Sequence, residues 1–275
     1  MDKFHKKSPV RDIAYAGILL VAGMLGGTIL GSFHPAPLLE RQFQVRRTFS
    51  DIQFLVYLDY PPNTTKDLGR IRQAVEHNHH MIRSASRGRY GITVVAPPET
   101  ANYITSLEWE VSNVDSVQFE GSCLHPGKLC TKILYLTSDY LLSKNCVVLL
   151  DCDLIIRNES WVDRIQGFFH VAAFAAVPTH QEWGNLNFKK FGMYNTGVIA
   201  INFEYVRQRL DQYVNSIRNC PNTDNEQKCV SSFFLNQQDR QDVVLPWYMH
   251  CRINFEENCL LYHGWDFEYF LPEFV

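Results

Sequence analysis

Apolar residues are distributed along the chain in two regimes. From Ile13 to Ser32 the segment IAYAGILLVAGMLGGTILGS carries no charge, and about twenty helical residues at ~1.5 Å each span the ~30 Å hydrocarbon core of a bilayer. Further on, hydrophobic residues come in short bursts separated by polar and turn-forming ones. Ile52 to Leu58 reads as a strand closed by the turn Asp59-Tyr60-Pro61-Pro62, Lys66 to Ala85 has helical spacing through Leu68, Ile71, Val75 and Ile82, and Gly91 to Ala96 is a second strand ended by Pro97-Pro98. Val114 to Phe119 gives a third strand. Lys128 to Leu142 predicts one helix with Leu129, Ile133, Leu136 and Tyr140 on a single face, ahead of the apolar strand Val147 to Leu150. Strands alternating with helices predict the start of a parallel sheet in an α/β domain.

The second half is less regular. Val171 to Val177 and Thr196 to Phe203 read as strands, Tyr205 to Ser216 and Gln227 to Asn236 as helices, and Val243-Val244-Leu245-Pro246 and Leu260-Leu261-Tyr262 as short strands. The sheet is therefore expected to be mixed. No repeat or low-complexity segment interrupts it.

Charge gives the chain a direction. Lys3, Lys6, Lys7 and Arg11 precede the apolar run, and the positive-inside tendency leaves that end in the cytosol. The expected organisation is a cytosolic tail (1–12), a transmembrane signal anchor (13–32), a short stem (33–50) and a lumenal domain (51–275) in the Golgi or endoplasmic reticulum membrane. A cleaved signal peptide is the rival reading, disfavoured because the run exceeds a usual apolar core. Gly23, Gly27 and Gly31 repeat at four-residue spacing, which permits close helix pairing and a homodimer. The 275 residues leave room for one α/β domain of about 220 residues. A formal net charge of -3, with no basic run in the body, argues against nucleic acid as a partner.

All eight cysteines follow the anchor, an even number that fits an oxidising compartment. Cys123–Cys130, Cys220–Cys229 and Cys251–Cys259 would close small loops, whereas Cys146 and Cys152 read as buried thiols. The absence of Cys-x-x-Cys disfavours a zinc ribbon or a thioredoxin-type site. Asn63-Thr64-Thr65 and Asn158-Glu159-Ser160 have the form of glycosylation acceptors.

The sharpest chemical feature is Asp151-Cys152-Asp153, where two carboxylates break a buried-strand pattern running from Val147 to Ile156. Unpaired buried charges are costly, so these side chains are expected to meet solvent, a cation or a ligand. Ligands bind at the carboxyl ends of strands in open α/β sheets, and paired hard oxygens there suit Mg²⁺ or Mn²⁺ holding a diphosphate. Turn or N-cap carboxylates are the plain alternative. His77-Asn78-His79-His80 also looks metal-like, but reads as a solvated helix face.

Four segments in order resemble a known family. Lys128-Leu129-x-x-Lys132-Ile133-Leu134-Tyr135-Leu136 followed by Val147-Val148-Leu149-Leu150-Asp151-Cys152-Asp153 resembles the helix, strand and Asp-x-Asp segment of GT-A glycosyltransferases, particularly the retaining glycogenin and lipopolysaccharide galactosyltransferase-like group, glycosyltransferase family 8. Tyr194-Asn195-Thr196-Gly197-Val198 resembles that group's donor-contacting strand. Glu226-Gln227 resembles its Asp-Gln pair, and Leu261-Tyr262-His263-Gly264 its late metal-site strand. The chain departs from the pattern at Glu226, where the family usually has Asp, and in lacking Lys-Pro-Trp after His263-Gly264.

The resemblance implies a GT-A-like (Rossmann-like) mixed sheet flanked by helices, in a single domain behind an N-terminal transmembrane helix. It implies transfer of a sugar from a nucleotide-diphosphate donor, a UDP-sugar, to a glycan or glycoconjugate acceptor, with retained stereochemistry. Asp151, Asp153 and His263 would hold Mn²⁺ or Mg²⁺, with Asp151 also on the donor side. Gln227 would lie near the anomeric carbon, Glu226 and Asn195 would orient donor hydroxyls, and Gly197 and Lys132 would support the donor. Tyr57 and Asp59, ending the first strand, are candidate nucleotide contacts from position alone. A haloacid-dehalogenase-type phosphatase and a non-catalytic sugar-binding module are the alternatives.

Overall fold

The apolar bursts of the first half form four adjacent parallel strands of a seven-stranded sheet. The computed structural model describes residues 52–59, 68–107, 109, 111, 113–118, 128–170, 172–179, 193–221, 226–235, 242–252 and 259–263. The expected tail, anchor and stem lie outside these residues, as do Asn63, Cys123 and the side chain of Cys130. Among the described residues no helix is long and apolar enough to cross a membrane.

In chain order the elements are β1 (Ile52–Tyr57), α1 (Leu68–Ala85), β2 (Ile92–Ala96), α2 (Pro98–Thr105), β3 (Asn113–Ser116), α3 (Lys128–Leu136), α4 (Asp139–Leu142) and β4 (Cys146–Leu150). There follow β5 (Leu154–Ile156), α5 (Ser160–Phe168), β6 (Phe174–Pro178), β7 (Tyr194–Asn202), α6 (Phe203–Val206), α7 (Leu210–Arg218), α8 (Glu226–Leu235), β8 (Asp242–Val244), β9 (Cys251–Arg252) and β10 (Leu261–His263). The large sheet has the order β3-β2-β1-β4-β7-β6-β8, and a three-stranded sheet has the order β5-β10-β9. β1 runs parallel to β2 and β4, whereas β7 runs antiparallel to both β4 and β6. The expected mixed sheet is thus present.

β4 explains why its sequence shows no polar alternation. Val148 and Leu150 join Phe54 and Val56 in one core, under α1 and α5, while Val147 and Leu149 join Leu55 in the other, under α3, α7 and α8. Both faces are covered, so both sets of side chains must be apolar. The buried run nevertheless contains two strands. The chain leaves the large sheet after Leu150, turns through residues 151–153, and enters the small sheet at Leu154.

Several boundaries differ from those predicted. The expected helix from Lys128 to Leu142 breaks between α3 and α4, because Ser138 Oγ accepts from the Leu141 amide (3.3 Å) and donates to the Tyr135 carbonyl (2.8 Å), starting a new helix. The helix expected from Tyr205 to Ser216 divides likewise: α6 is capped by Asn202, and a 3₁₀ turn at Arg207–Arg209 precedes α7. β2 ends before Pro97-Pro98 as expected, but an unpredicted helix, α2, follows at once: Pro98 occupies its first turn, where a missing amide hydrogen costs nothing.

The His77–His80 segment is not a solvated face. Asn78 is buried and clamps β5, donating through Nδ2 to the Leu154 carbonyl (2.7 Å) and accepting through Oδ1 from the Ile156 amide (2.7 Å). It thereby supplies the hydrogen bonds that a further strand would give to an edge. His77 Nε2 donates to the Ile156 carbonyl (2.8 Å), and burial, with His80 as a lesser influence, holds its pKa below the ordinary histidine value despite that bond. His79 Nδ1 accepts from the Ile92 amide (3.0 Å). Of the four residues only His80 is exposed.

Disulfides Cys220–Cys229, joining the end of α7 to α8, and Cys251–Cys259, joining β9 to the approach of β10, are formed. Cys146 and Cys152 are buried thiols, as expected.

Candidate active site

Strand order brings distant segments to one edge. Val56 pairs with Leu150 across the parallel β1–β4 ladder, so Tyr57 and Asp151 emerge side by side at the carboxyl ends of their strands. Antiparallel β7 starts where β4 ends: Val198 pairs with Leu150, and the Asp151 amide donates to the Gly197 carbonyl (2.8 Å). That places Asn195, Thr196 and Gly197 beside the aspartates. In the small sheet His263 pairs with Leu154, the residue after Asp153, which carries the histidine to the same point across 110 residues of chain.

Asp151, Asp153 and His263 each offer one ligand atom, and these atoms lie within 4.8 Å of one another. His263 Nε2 stands 3.3 Å from Asp153 Oδ1. Burial pushes the Asp153 carboxyl up, but the hydrogen bond and charge of His263, a backbone amide and the Lys132 ammonium together outweigh it and hold the group below the usual aspartate range. Asp153 is therefore an anion at neutral pH. Lys132, on α3, donates to Asp151 Oδ1 (3.0 Å) and lies 3.6 Å from Glu226 Oε1. Its burial favours the neutral amine, yet the surrounding carboxylates of Asp151, Glu226 and Asp153 outweigh this and keep it charged. Glu226, opening α8, also accepts from Thr196 Oγ1 (3.2 Å).

The backbone around Gly197 is crowded. Asn195 Oδ1 accepts from the Gly197 amide (2.8 Å), so the carboxamide oxygen of the expected donor contact is committed to its own turn. A Cβ at position 197 would fall 2.6 Å from His263 Cε1 and 2.9 Å from its Nδ1. Only glycine leaves room for the imidazole. Gly197 therefore matters here through its contact with a metal-ligand candidate, in addition to any approach to a donor.

The predicted residues Lys132, Asp151, Asp153, Asn195, Gly197, Glu226 and His263 form one cluster. Gln227 is the next residue on α8 and is half-buried. Tyr57 and Asp59 share the sheet edge, with the Tyr57 ring stacked on Tyr135 (centroids 4.6 Å, interplanar angle 12°). Burial, helped by Asp59, raises the Tyr57 pKa and keeps the phenol protonated.

Two members of the cluster escaped sequence reasoning. Thr196 sat inside a recognised motif but had no assigned part. His250 carried no signal at all, lying in an irregular stretch before β9. Its Nε2 is 2.8 Å from His263 Nδ1, and the two rings stack at 4.9 Å and 24°.

No protein-family model matches the chain, and no curated protein matches it in sequence. Solved structures do resemble it. The glycosyltransferase GlyE of Streptococcus pneumoniae TIGR4 superposes with a TM-score of 0.51 at 14% identity, over 78% of this chain and 54% of that one. The bifunctional glycosyltransferase WbbM gives a TM-score of 0.52 at 11% identity, over 79% of this chain and 46% of that one. The galactosyltransferase LgtC gives 0.48 at 10% identity, over 78% and 87%. The chain spans about half the length of the first two, and those two show that its fold is that of GT-A glycosyltransferases.

Proposed function

We propose that this chain is a metal-dependent glycosyltransferase, moving a sugar from a nucleotide-diphosphate donor, a UDP-sugar by the family resemblance, to a glycan or glycoconjugate acceptor with retained stereochemistry. The observation that carries the reading is the convergence of Asp151, Asp153 and His263 within 4.8 Å at the ligand-binding edge of a GT-A sheet. Hard carboxylate oxygens with one imidazole nitrogen fit Mn²⁺ well and Mg²⁺ acceptably. A divalent ion there would stabilise the negative charge developing on the diphosphate leaving group.

The chain's own groups have distinct work around that ion. Asp153 offers an ionised carboxylate, and Asp151 supplies further oxygen donors while accepting from Lys132. The Lys132 ammonium restrains Asp151 and Glu226 against mutual repulsion and adds positive potential where a diphosphate would lie. Thr196 Oγ1 donates to Glu226 Oε1, which would hold this longer carboxylate side chain in place for donor hydroxyls. Gln227 follows on α8, beside the expected anomeric carbon.

A panel of nucleotide sugars incubated with the protein and Mn²⁺ tests this directly. Nucleotide release from one donor, faster with the right acceptor and abolished by exhaustive chelation, is expected. Donor binding with no release under any acceptor would assign a non-catalytic sugar-binding module instead.

The same reading places residues 51–275 in the lumen of the secretory pathway, behind an anchor at 13–32. The uncharged apolar segment, the lysines before it and disulfides Cys220–Cys229 and Cys251–Cys259 support it. Protein made with microsomes is expected to carry both disulfides on non-reducing mass spectrometry, and a glycosidase-sensitive glycan on exposed Asn158. A domain digested by protease from the cytosolic side, with all thiols free, would reverse the assignment.

A further inference from the structure

A histidine can ligate a metal through Nε2 only if that nitrogen carries a lone pair, which in a neutral ring puts the proton on Nδ1. At His263 that proton would be enclosed. Gly197 closes one side of the ring so tightly that a methyl group would not fit, and on the other side Nδ1 faces His250 Nε2 at 2.8 Å. His250 is itself only 2% exposed, so its ring has little freedom to turn away. A cation bound by Asp153 and His263 would take the place of any proton on His263 Nε2, and the one proton between the two facing imidazole nitrogens, 2.8 Å apart, would then decide which lone pair His263 presents to the ion.

We infer that His250 is a positioning residue: its Nε2 accepts the His263 Nδ1 proton, fixing the ring with the Nε2 lone pair turned towards Asp153 and the metal. The inference rests on the metal-dependent reading above and adds to it the group behind the histidine ligand. Such partners commonly set both the tautomer and the orientation of a ligating imidazole.

The local architecture holds this pair in register. His250 immediately precedes β9, and β9 lies parallel to β10 with Arg252 opposite His263 and Cys251 opposite Tyr262. The Cys251–Cys259 disulfide ties the segment after His250 to the segment before His263. Trp161 Nε1, from α5, donates to the Met249 carbonyl (2.9 Å), anchoring the residue before His250 to the core. The stacked rings are thus set by backbone held at three points rather than by side chains alone.

Two substitutions separate hydrogen bonding from packing. His250→Phe keeps a ring to stack on His263 but removes the acceptor, whereas His250→Gln restores an acceptor near the position of Nε2. Mn²⁺ affinity, measured by electron paramagnetic resonance of free Mn²⁺ without any donor, should fall about 10–100-fold in the Phe variant and stay within about threefold in the Gln variant. In the unsubstituted protein loaded with diamagnetic Mg²⁺, the ¹⁵N resonances of His263 should report a proton on Nδ1. Equal Mn²⁺ affinity in the Phe variant, equal loss in a folded Gln variant, or a proton on Nε2 in the Mg²⁺ form would each overturn the inference while leaving the metal site standing. Failure of the unsubstituted protein to bind either ion would overturn the functional reading, and this inference with it.

Discussion

Replacing Asp153 by Asn should lower Mn²⁺-dependent donor cleavage and sugar transfer by at least about 100-fold, the scale on which loss of one preorganised electrostatic group acts. The substitution keeps the side chain's size, removes its charge and turns one acceptor oxygen into a donor amide. The carboxyl is held ionised against its own burial, chiefly by His263, so the charge removed is one the site maintains at a cost. Folding should survive, because the substitution is isosteric and the strands on either side, Cys146–Leu150 and Leu154–Ile156, contribute Cys146, Val148, Leu150, Leu154 and Ile156 to an apolar core that it leaves unchanged. The distinguishing measurement is kcat and KM at saturating and limiting Mn²⁺. A lost ligand weakens Mn²⁺ dependence and turnover together, whereas a lost turn residue would reduce stability and leave metal dependence unchanged. Full activity in the Asn variant would reduce the strand-end pair to a structural turn.

Legibility followed physical locality. Strand β4 could be read because covering both faces demands apolar residues throughout, and the carboxylates could be found because they violate that demand at its end. The motif around Asn195 and Gly197 was visible, but the physical need for glycine was not. It arises from an imidazole arriving from residue 263 through a second sheet, and no local pattern encodes that crowding. Ser138 breaking a helix and Pro98 starting one were readable in principle, since both are ordinary capping residues, yet the apolar periodicity through Leu136 and Tyr140 ran across the break and hid it. Asn78 and His250 mark the deeper limit. Each is a polar residue whose role is set by a hydrogen bond to a partner distant in sequence or in an irregular segment, and their neighbours give no hint of it. His77 to His80 looked solvated because helical spacing reports which face is apolar, not whether a polar side chain caps the edge of a strand.

The expected result at Gly197 is larger than its size suggests. In Gly197→Ala a single methyl group would lie 2.6 Å from His263 Cε1, 2.9 Å from its Nδ1 and 3.1 Å from Asn195 Oδ1. Among the described residues the only glycine with positive φ is Gly88, so alanine at 197 meets no backbone penalty and the whole effect is steric. His263 cannot simply rotate aside, because His250 stacks behind it and Asp153 stands 3.3 Å from its Nε2. Either the ring leaves the metal site or β7 and β10 separate, and overpacking of this kind costs about 1–3 kcal/mol. We therefore expect lowered stability by denaturant titration together with loss of Mn²⁺ binding. Gly167→Ala is the control: its Cβ meets nothing within 4 Å in helix α5, and it should be neutral or stabilising by up to about 1 kcal/mol. Adding His263→Ala to Gly197→Ala removes the obstructing ring, so stability should recover while Mn²⁺ binding does not. If Gly197→Ala alone bound Mn²⁺ normally, His263 would not occupy the slot beside Gly197, and the three-ligand site would lose its third member.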